Sequence, residues 1–230
     1  MECICIFRPM NFNRIFILFI YALSFLGADD SGKFSITRIQ YRGGGDWYSD
    51  QSSVPNLLNF INTKTNIPVD LIEKKAKIGD DLFIKSQYLY LTGHGNIKFS
   101  DKEVIILRNH LLSGAFLHAD DNYGMDESFR REMKKVFPEK EWVELPFSHP
   151  LFHSYYDFSN GLPKIHKHTN LAPQALALFD KDRLVVLYTF ECDLGDGWEN
   201  QSVHNNTEAI RIKALEMGTN IVMYNLIGHE

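Results

Sequence analysis

Tyr88-Leu89-Tyr90-Leu91-Thr92 and Gly114-Ala115-Phe116-Leu117 are unbroken apolar runs of strand length. Each stops abruptly in small polar residues, Gly93-His94-Gly95 after the first and His118-Ala119-Asp120-Asp121 after the second. A run without polar alternation suits a strand covered on both faces, as in a parallel sheet flanked by helices. Ligands bind such sheets in the crevice beyond the carboxyl ends of the strands. The two runs therefore predict that His94, His118, Asp120 and Asp121 reach one edge of a buried sheet.

The rest of the chain supplies the helices such a sheet needs. Ser35–Tyr41 reads as a first strand, broken by Arg42-Gly43-Gly44-Gly45-Asp46-Trp47-Tyr48. Pro55 opens a helix through Ile61, since proline is tolerated in a first turn. Val69–Ile72 is expected as a second strand. Ser100-Asp101-Lys102-Glu103 is a capping box, in which the serine hydroxyl and the glutamate carboxylate each satisfy a first-turn amide. Its helix turns Val104, Leu107, Leu111 and Leu112 inward and ends at Gly114. Asp126 is expected to cap a helix with Phe129, Met133, Val136 and Phe137 on one face, stopped by Pro138. Residues 142–170 read as an aromatic, His-rich loop. Ala175–Phe179 and Leu184–Phe190 read as a hairpin. Asn205 with Glu208 predicts a last helix ending at Gly218, and Asn220–Leu226 a closing strand. Strands alternating with helices, then a hairpin, predict an α/β sandwich whose sheet is mostly parallel with an antiparallel edge.

Residues 1–28 have the layout of a secretory signal: Arg8 and Arg14, an apolar stretch from Ile15 to Leu26, then Gly27 and Ala28 before Asp29-Asp30. The stretch is shorter than the roughly 20 residues a spanning helix needs. A cleaved leader, with residues 29–230 as one domain, is the expectation, and an uncleaved anchor would be the chain's one membrane link. That places the domain in the periplasm or outside the cell. The chain's net charge is −5, and removing the basic leader makes the remainder more acidic, which disfavours nucleic acid as a partner. Cys192 would then be the lone thiol, unable to form an internal disulfide.

Gly93 and Gly95 allow close backbone approach, and the amides around His94 would suit an anion or an oxyanion. His118, Asp120 and Asp121 add a base and two carboxylates. His149-Pro150-Leu151-Phe152-His153 places two imidazoles four apart, but Pro150 and a missing glutamate depart from the metalloprotease pattern. A loop folding over the cleft and contributing one histidine fits it better. Glu191-Cys192-Asp193-Leu194-Gly195-Asp196-Gly197 resembles a Ca²⁺ loop in composition but lacks the EF-hand spacing. No set of three or four ligands is visible together, so the sequence assigns no metal and no cofactor, with a divalent ion left open. No nucleophile elbow, Walker loop or dinucleotide fingerprint occurs.

Taken in order, Tyr41–Tyr48, Tyr90–Gly95, Gly114–Asp121, His149-Pro150 with Tyr155-Tyr156-Asp157, and Gly218–Tyr224 resemble a bacterial family, the domain of unknown function DUF4159. The resemblance covers about residues 36–226. It implies a flavodoxin-like three-layer sandwich similar to class I glutamine amidotransferases and an exported or membrane-linked setting, without supplying an activity. Carried over as cleft residues are Asp46, Trp47, Gly93, His94, Gly95, His118, Asp120, Asp121, His149 and Asp157. Amidotransferases need a cysteine on an elbow after a strand, where this chain offers His118. The first reading is a non-glutaminase envelope domain holding a small polar ligand or a partner's segment at the strand ends. A second is a hydrolase with His94 or His118 as general base, oriented by Asp120 or Asp121. A third is a structural subunit of an envelope assembly.

Overall fold

The computed structural model describes residues 32–227, so the leader expected over residues 1–28 lies outside the described residues. The elements in chain order are β1 (Thr37–Ile39), α1 (Ser53–Lys64), β2 (Lys74–Ala76), α2 (Asp81–Lys85), β3 (Tyr88–Leu91), α3 (Asp101–Leu112), β4 (Phe116–Asp120), α4 (Asp126–Val136), β5 (Val143–Glu144), a 3₁₀ turn (Pro150–His153), β6 (Gln174–Asp180), β7 (Arg183–Phe190), α5 (Leu194–Trp198), α6 (Gln201–His204) and α7 (Glu208–Ile227). The seven strands form one sheet in the order β2-β1-β3-β4-β7-β6-β5. The first five in that order are parallel, and β6 and β5 add antiparallel. Counting β7 as the fifth parallel strand gives the flavodoxin-like order 2-1-3-4-5, with its switch point between β1 and β3.

Alternation along the buried strands divides the core into two layers. Tyr88, Tyr90 and Phe116 pack with Leu57, Leu58, Trp198, Met217 and Ile221 of the layer holding α1, α5 and α7. Leu89, Leu91, Leu117 and Ala119 pack with Leu107, Leu111, Phe129 and Met133 of α3 and α4 on the other side. The capping box of α3 forms as its sequence predicts, Ser100 accepting from Glu103 N and Glu103 accepting from Ser100 N. Among the described residues no helix is long and apolar enough to cross a membrane.

Four local expectations are corrected. The second strand is Lys74–Ala76, not Val69–Ile72. Asp70 Oδ1 accepts the Ile72 amide at 3.1 Å, turning the chain, and Val69 keeps only an isolated bridge to Phe34. Lysines at that sheet edge discourage pairing with other chains. Asn220–Leu226 is not a strand: α7 runs through Gly218 to Ile227. The segment is apolar on most sides because α1, α5 and the 3₁₀ turn surround it, and periodicity cannot separate such a helix from a buried strand. Gly218 is there for packing, since a Cβ would stand 2.7 Å from Leu57 Cδ1 and 2.8 Å from the Trp198 ring. Asp126 lies in the first turn of α4 without capping it, and binds Arg130 Nε at 2.6 Å and Tyr188 Oη at 3.0 Å instead. Thr207, not Asn205, accepts from the first turn of α7, taking Ile210 N at 3.4 Å, while Asn205 ends α6 in a left-handed conformation.

Candidate functional site at the carboxyl rim

Parallel pairing sets the ends of β3 and β4 side by side, Leu91 beside Ala119, and Asp120 beside Thr189 of β7. The loops after β1, β3, β4 and β7 therefore share one rim. Beneath it, Tyr90, His118, Asp120 and Thr189 face the α5 layer, with the His118 ring 5.4 Å from Tyr90 and 6.0 Å from Trp198. Tyr88 Oη lies 3.3 Å from His118 Nδ1, His118 Nε2 3.1 Å from Thr189 Oγ1, and Thr189 Oγ1 donates to Asp120 Oδ1 at 2.5 Å. All three bonds can run in one direction, from the phenol through the imidazole and hydroxyl to the carboxylate.

This network corrects two expected roles. His118 is fully buried with both ring nitrogens engaged, and burial pulls its pKa down to about 3, so it stays neutral and walled in. Asp120 also accepts Leu194 N at 3.3 Å and Gly195 N at 2.7 Å, satisfying the amides that open α5. Burial pushes its pKa up to about 7 despite these donors.

Above the network stands a carboxylate that sequence reasoning passed over. Arg38 on β1 is buried, bonds Glu73 Oε1 at 2.5 Å, and donates to the carbonyls of Ser49 at 2.5 Å and Asp50 at 2.9 Å. That grip holds Asp50 in a left-handed conformation at φ 52. Asp50 accepts from Asn122 Nδ2 after β4. A Cβ on Gly195 would stand 2.8 Å from Tyr90 Oη, 3.3 Å from Asp120 Oδ2 and 3.5 Å from Asp50 Oδ2, so three oxygens from three strand ends converge there. Burial first, and the charge of Asp196 second, push Asp50 up to about 7. Glu199 closes the floor by taking Ser52 N at 2.9 Å and Ser53 N at 3.1 Å, capping α1 from across the rim.

The loop after β7 meets the segment before β6. His166 Nδ1 lies 2.7 Å from Asp196 Oδ2 and 3.9 Å from Asp193 Oδ2, His168 Nε2 2.9 Å from Asp193 Oδ2, and His204 Nε2 3.5 Å from Asp196 Oδ1. Two triads, His166-Asp196-His204 and His166-His168-Asp193, have spacing suited to holding a metal ion. The bond to Asp196 raises the pKa of His166. Burial and the charges of Asp120 and Asp196 push Asp193 up to about 9. Burial pushes Asp121 up to about 6. Asp193 and Asp196 were visible as a carboxylate-glycine loop, but their partners lie on separate segments. The one signal for those partners was His166-x-His168, which reads in isolation as loop.

The other sequence candidates do not join this cluster. His94 is exposed and pairs with Asp46 at 3.1 Å, while its own amide donates to Asp46. The amide expected to hold an oxyanion is thus taken by the chain's own carboxylate. Gly93, at φ 133, packs on Asp46 carbonyl and Tyr41 hydroxyl, and Gly95 on Gly45, leaving this turn self-contained. Trp47 packs toward the α3/α4 layer. His149 opens the 3₁₀ turn by accepting Leu151 N at 3.2 Å, and Asp157 pairs with His153 at 2.7 Å. That segment is tied to Asn220, which accepts Tyr156 N at 2.7 Å. With α7 starting near the rim, a rise of about 1.5 Å per residue carries Asn220 roughly 18 Å toward the opposite end. The aromatic loop therefore does not close over the cleft, and His149 and Asp157 stand away from it.

Six buried side-chain polar atoms lack a hydrogen bond among the described residues: Tyr90 Oη, Thr92 Oγ1, Asp121 Oδ1, Asn122 Oδ1, Asp196 Oδ1 and His204 Nε2. All belong to β3, to the loops after β3 and β4, to α5 or to α6. Among the described residues, four of the six non-glycine residues with positive φ (Asp50, Tyr123, Glu191 and Asp193) border the same rim. Cys192 is buried, and burial first and the charge of Asp120 second push its thiol up; the thiol donates to Asp120 Oδ1 at 3.7 Å, a setting that disfavours a thiolate nucleophile.

The family model for the domain of unknown function DUF4159 matches residues 35–226. The chain belongs to that family. No curated protein matches it.

Proposed function

We propose that this DUF4159 domain is a binding domain without glutaminase chemistry, whose rim holds a small cation or a ligand rich in N–H and O–H donors. The observation that carries the reading is the set of six buried polar atoms without a hydrogen bond gathered at one rim, two of which, Asp196 Oδ1 and His204 Nε2, face each other at 3.5 Å. Buried polar groups ordinarily have partners, and exceptions concentrated in one place mark a site completed from outside. Their chemistry selects the ligand. Asp50, Asp121, Asp193 and Asp196 face a rim where Arg38 is engaged with Glu73 and backbone carbonyls, and Lys164 with Glu191 at 2.9 Å. A phosphate or carboxylate would meet four carboxyl groups, which a cation or an N–H donor engages instead. The leader-like residues 1–28 support an extracytoplasmic setting for this binding.

Thermal-shift measurements on the protein test the reading, using amines, sugars and divalent cations against phosphates and carboxylates, with Asp50→Asn and Asn122→Ala alongside. A cationic or donor-rich probe raises the melting temperature, and each substitution at least halves that rise relative to its own unliganded baseline. Stabilisation by anions alone, or by any probe equally in both variants, would place binding elsewhere.

A further inference from the structure

We infer that the β7 end of the rim is a site for a single transition-metal ion, with His166 Nδ1, His204 Nε2 and the Asp196 carboxylate as its ligands and Asp193 and His168 of the second triad beside it. The inference rests on the reading of the rim as a cation site and names the cation's class. Two imidazoles and one carboxylate form a nitrogen-rich set that suits Zn²⁺, Co²⁺ or Ni²⁺ and does not suit Ca²⁺ or Mg²⁺, which take oxygen. Ligands in a tetrahedron at about 2.0–2.1 Å from zinc stand roughly 3.4 Å apart. The pairs within the triad, 2.7 and 3.5 Å, bracket that spacing. His166 Nδ1 belongs to both triads, and one nitrogen lone pair serves one ion, so the count is one.

Two observations separate this from an ion-pair cluster complete in itself. Asp196 is more than nine-tenths buried, and its Oδ1 faces His204 Nε2 at 3.5 Å with neither atom hydrogen-bonded. A histidine–aspartate pair that existed for stability would close that gap. The support of His166 also has the form metal ligands take: Nε2 lies 3.2 Å from Asn206 Oδ1, and Asn206 Nδ2 donates to the Asp196 carbonyl at 3.3 Å. An N–H at Nε2 leaves the Nδ1 lone pair aimed at the cluster. His168 is held from outside by Tyr123, stacked at 4.7 Å and 22°.

The test uses the full chain stripped with a chelator, titrated with Zn²⁺ by calorimetry and with Co²⁺ by visible absorption. The expected result is one ion per chain, with cobalt bands of a nitrogen–oxygen site and no comparable Ca²⁺ binding. His204→Ala is the clean variant, since the fold loses no hydrogen bond with it; it melts like wild type in chelator yet binds Zn²⁺ far more weakly. Asn206→Ala lowers affinity by about 10–100-fold, and His166→Ala lowers it further. His94→Ala and His153→Ala leave it unchanged. Absence of binding, or binding kept in full by both His166→Ala and His204→Ala, overturns the site. If metals fail while an organic amine still stabilises the chain through Asp50, the metal inference falls and the cation rim stands. If neither binds, both fall.

Discussion

Replacing Asp120 with Asn isolates what burial of one carboxyl does to stability. Asp120 is fully buried, and its pKa stands at about 7 against an ordinary 3.8, a rise of about 3 units caused first by burial. Between those values the folded state holds a proton that the unfolded state has released. Stability from this group is therefore complete below about pH 4 and is lost as pH rises through about 7. At about 1.4 kcal/mol per unit the loss approaches 4 kcal/mol. Asparagine does not titrate. It keeps an acceptor for Thr189 and Leu194 N but turns an amide toward Gly195 N–H, a donor against a donor, which costs about 1–3 kcal/mol. Urea denaturation of both proteins in chelator, from pH 4.5 to 8, should show Asp120→Asn weaker at the acid end and equal or stronger at the alkaline end. Asp193, raised in part by Asp120, titrates lower in the variant and moves the difference the same way. A difference constant to within about 0.5 kcal/mol across the range would mean that the two amides and the Thr189 hydroxyl keep Asp120 ionised throughout, and the argument would fail.

Gly218→Ala should destabilise by about 1–3 kcal/mol in chemical denaturation, because overpacking against Leu57 and Trp198 outweighs the gain in helix propensity of about 1 kcal/mol; a more stable variant would show that α1 and α7 have room to part. Arg38→Met leaves Glu73 and the Ser49 and Asp50 carbonyls without their buried cation and should cost about 3–5 kcal/mol. Ligand-induced stabilisation should drop with it, since Asp50 loses its hold; a variant that melts like wild type would show that the loop stands without Arg38.

Much of the scaffold was legible because its signals are local. The continuous runs at Tyr88–Thr92 and Gly114–Leu117, the Ser100–Glu103 box and the Ala175–Phe190 hairpin each depend on residues a few positions apart, and each forms within a few residues of where it is expected, the second of these runs continuing as strand to Asp120. The shared rim followed from parallel pairing of those runs. Where signals were ambiguous the reading failed: α7 is apolar on most sides, and a helix buried that way has no polar face to betray its period. β4 runs on through His118 to Asp120, so neither lies in a loop beyond the strand, and side-chain alternation turns both inward, His118 under Trp198.

By itself the sequence determined a two-sided parallel sheet and the edge at which its polar loops gather, since hydrophobic period and glycine placement act over one or two turns of chain. Only the tertiary structure decided which polar groups meet. Asp50 enters through Arg38, and His166 and His204 reach Asp196 from segments on either side of the β6–β7 hairpin. Their convergence depends on long-range packing around Trp198 and Asn206, and no short stretch of residues encodes it.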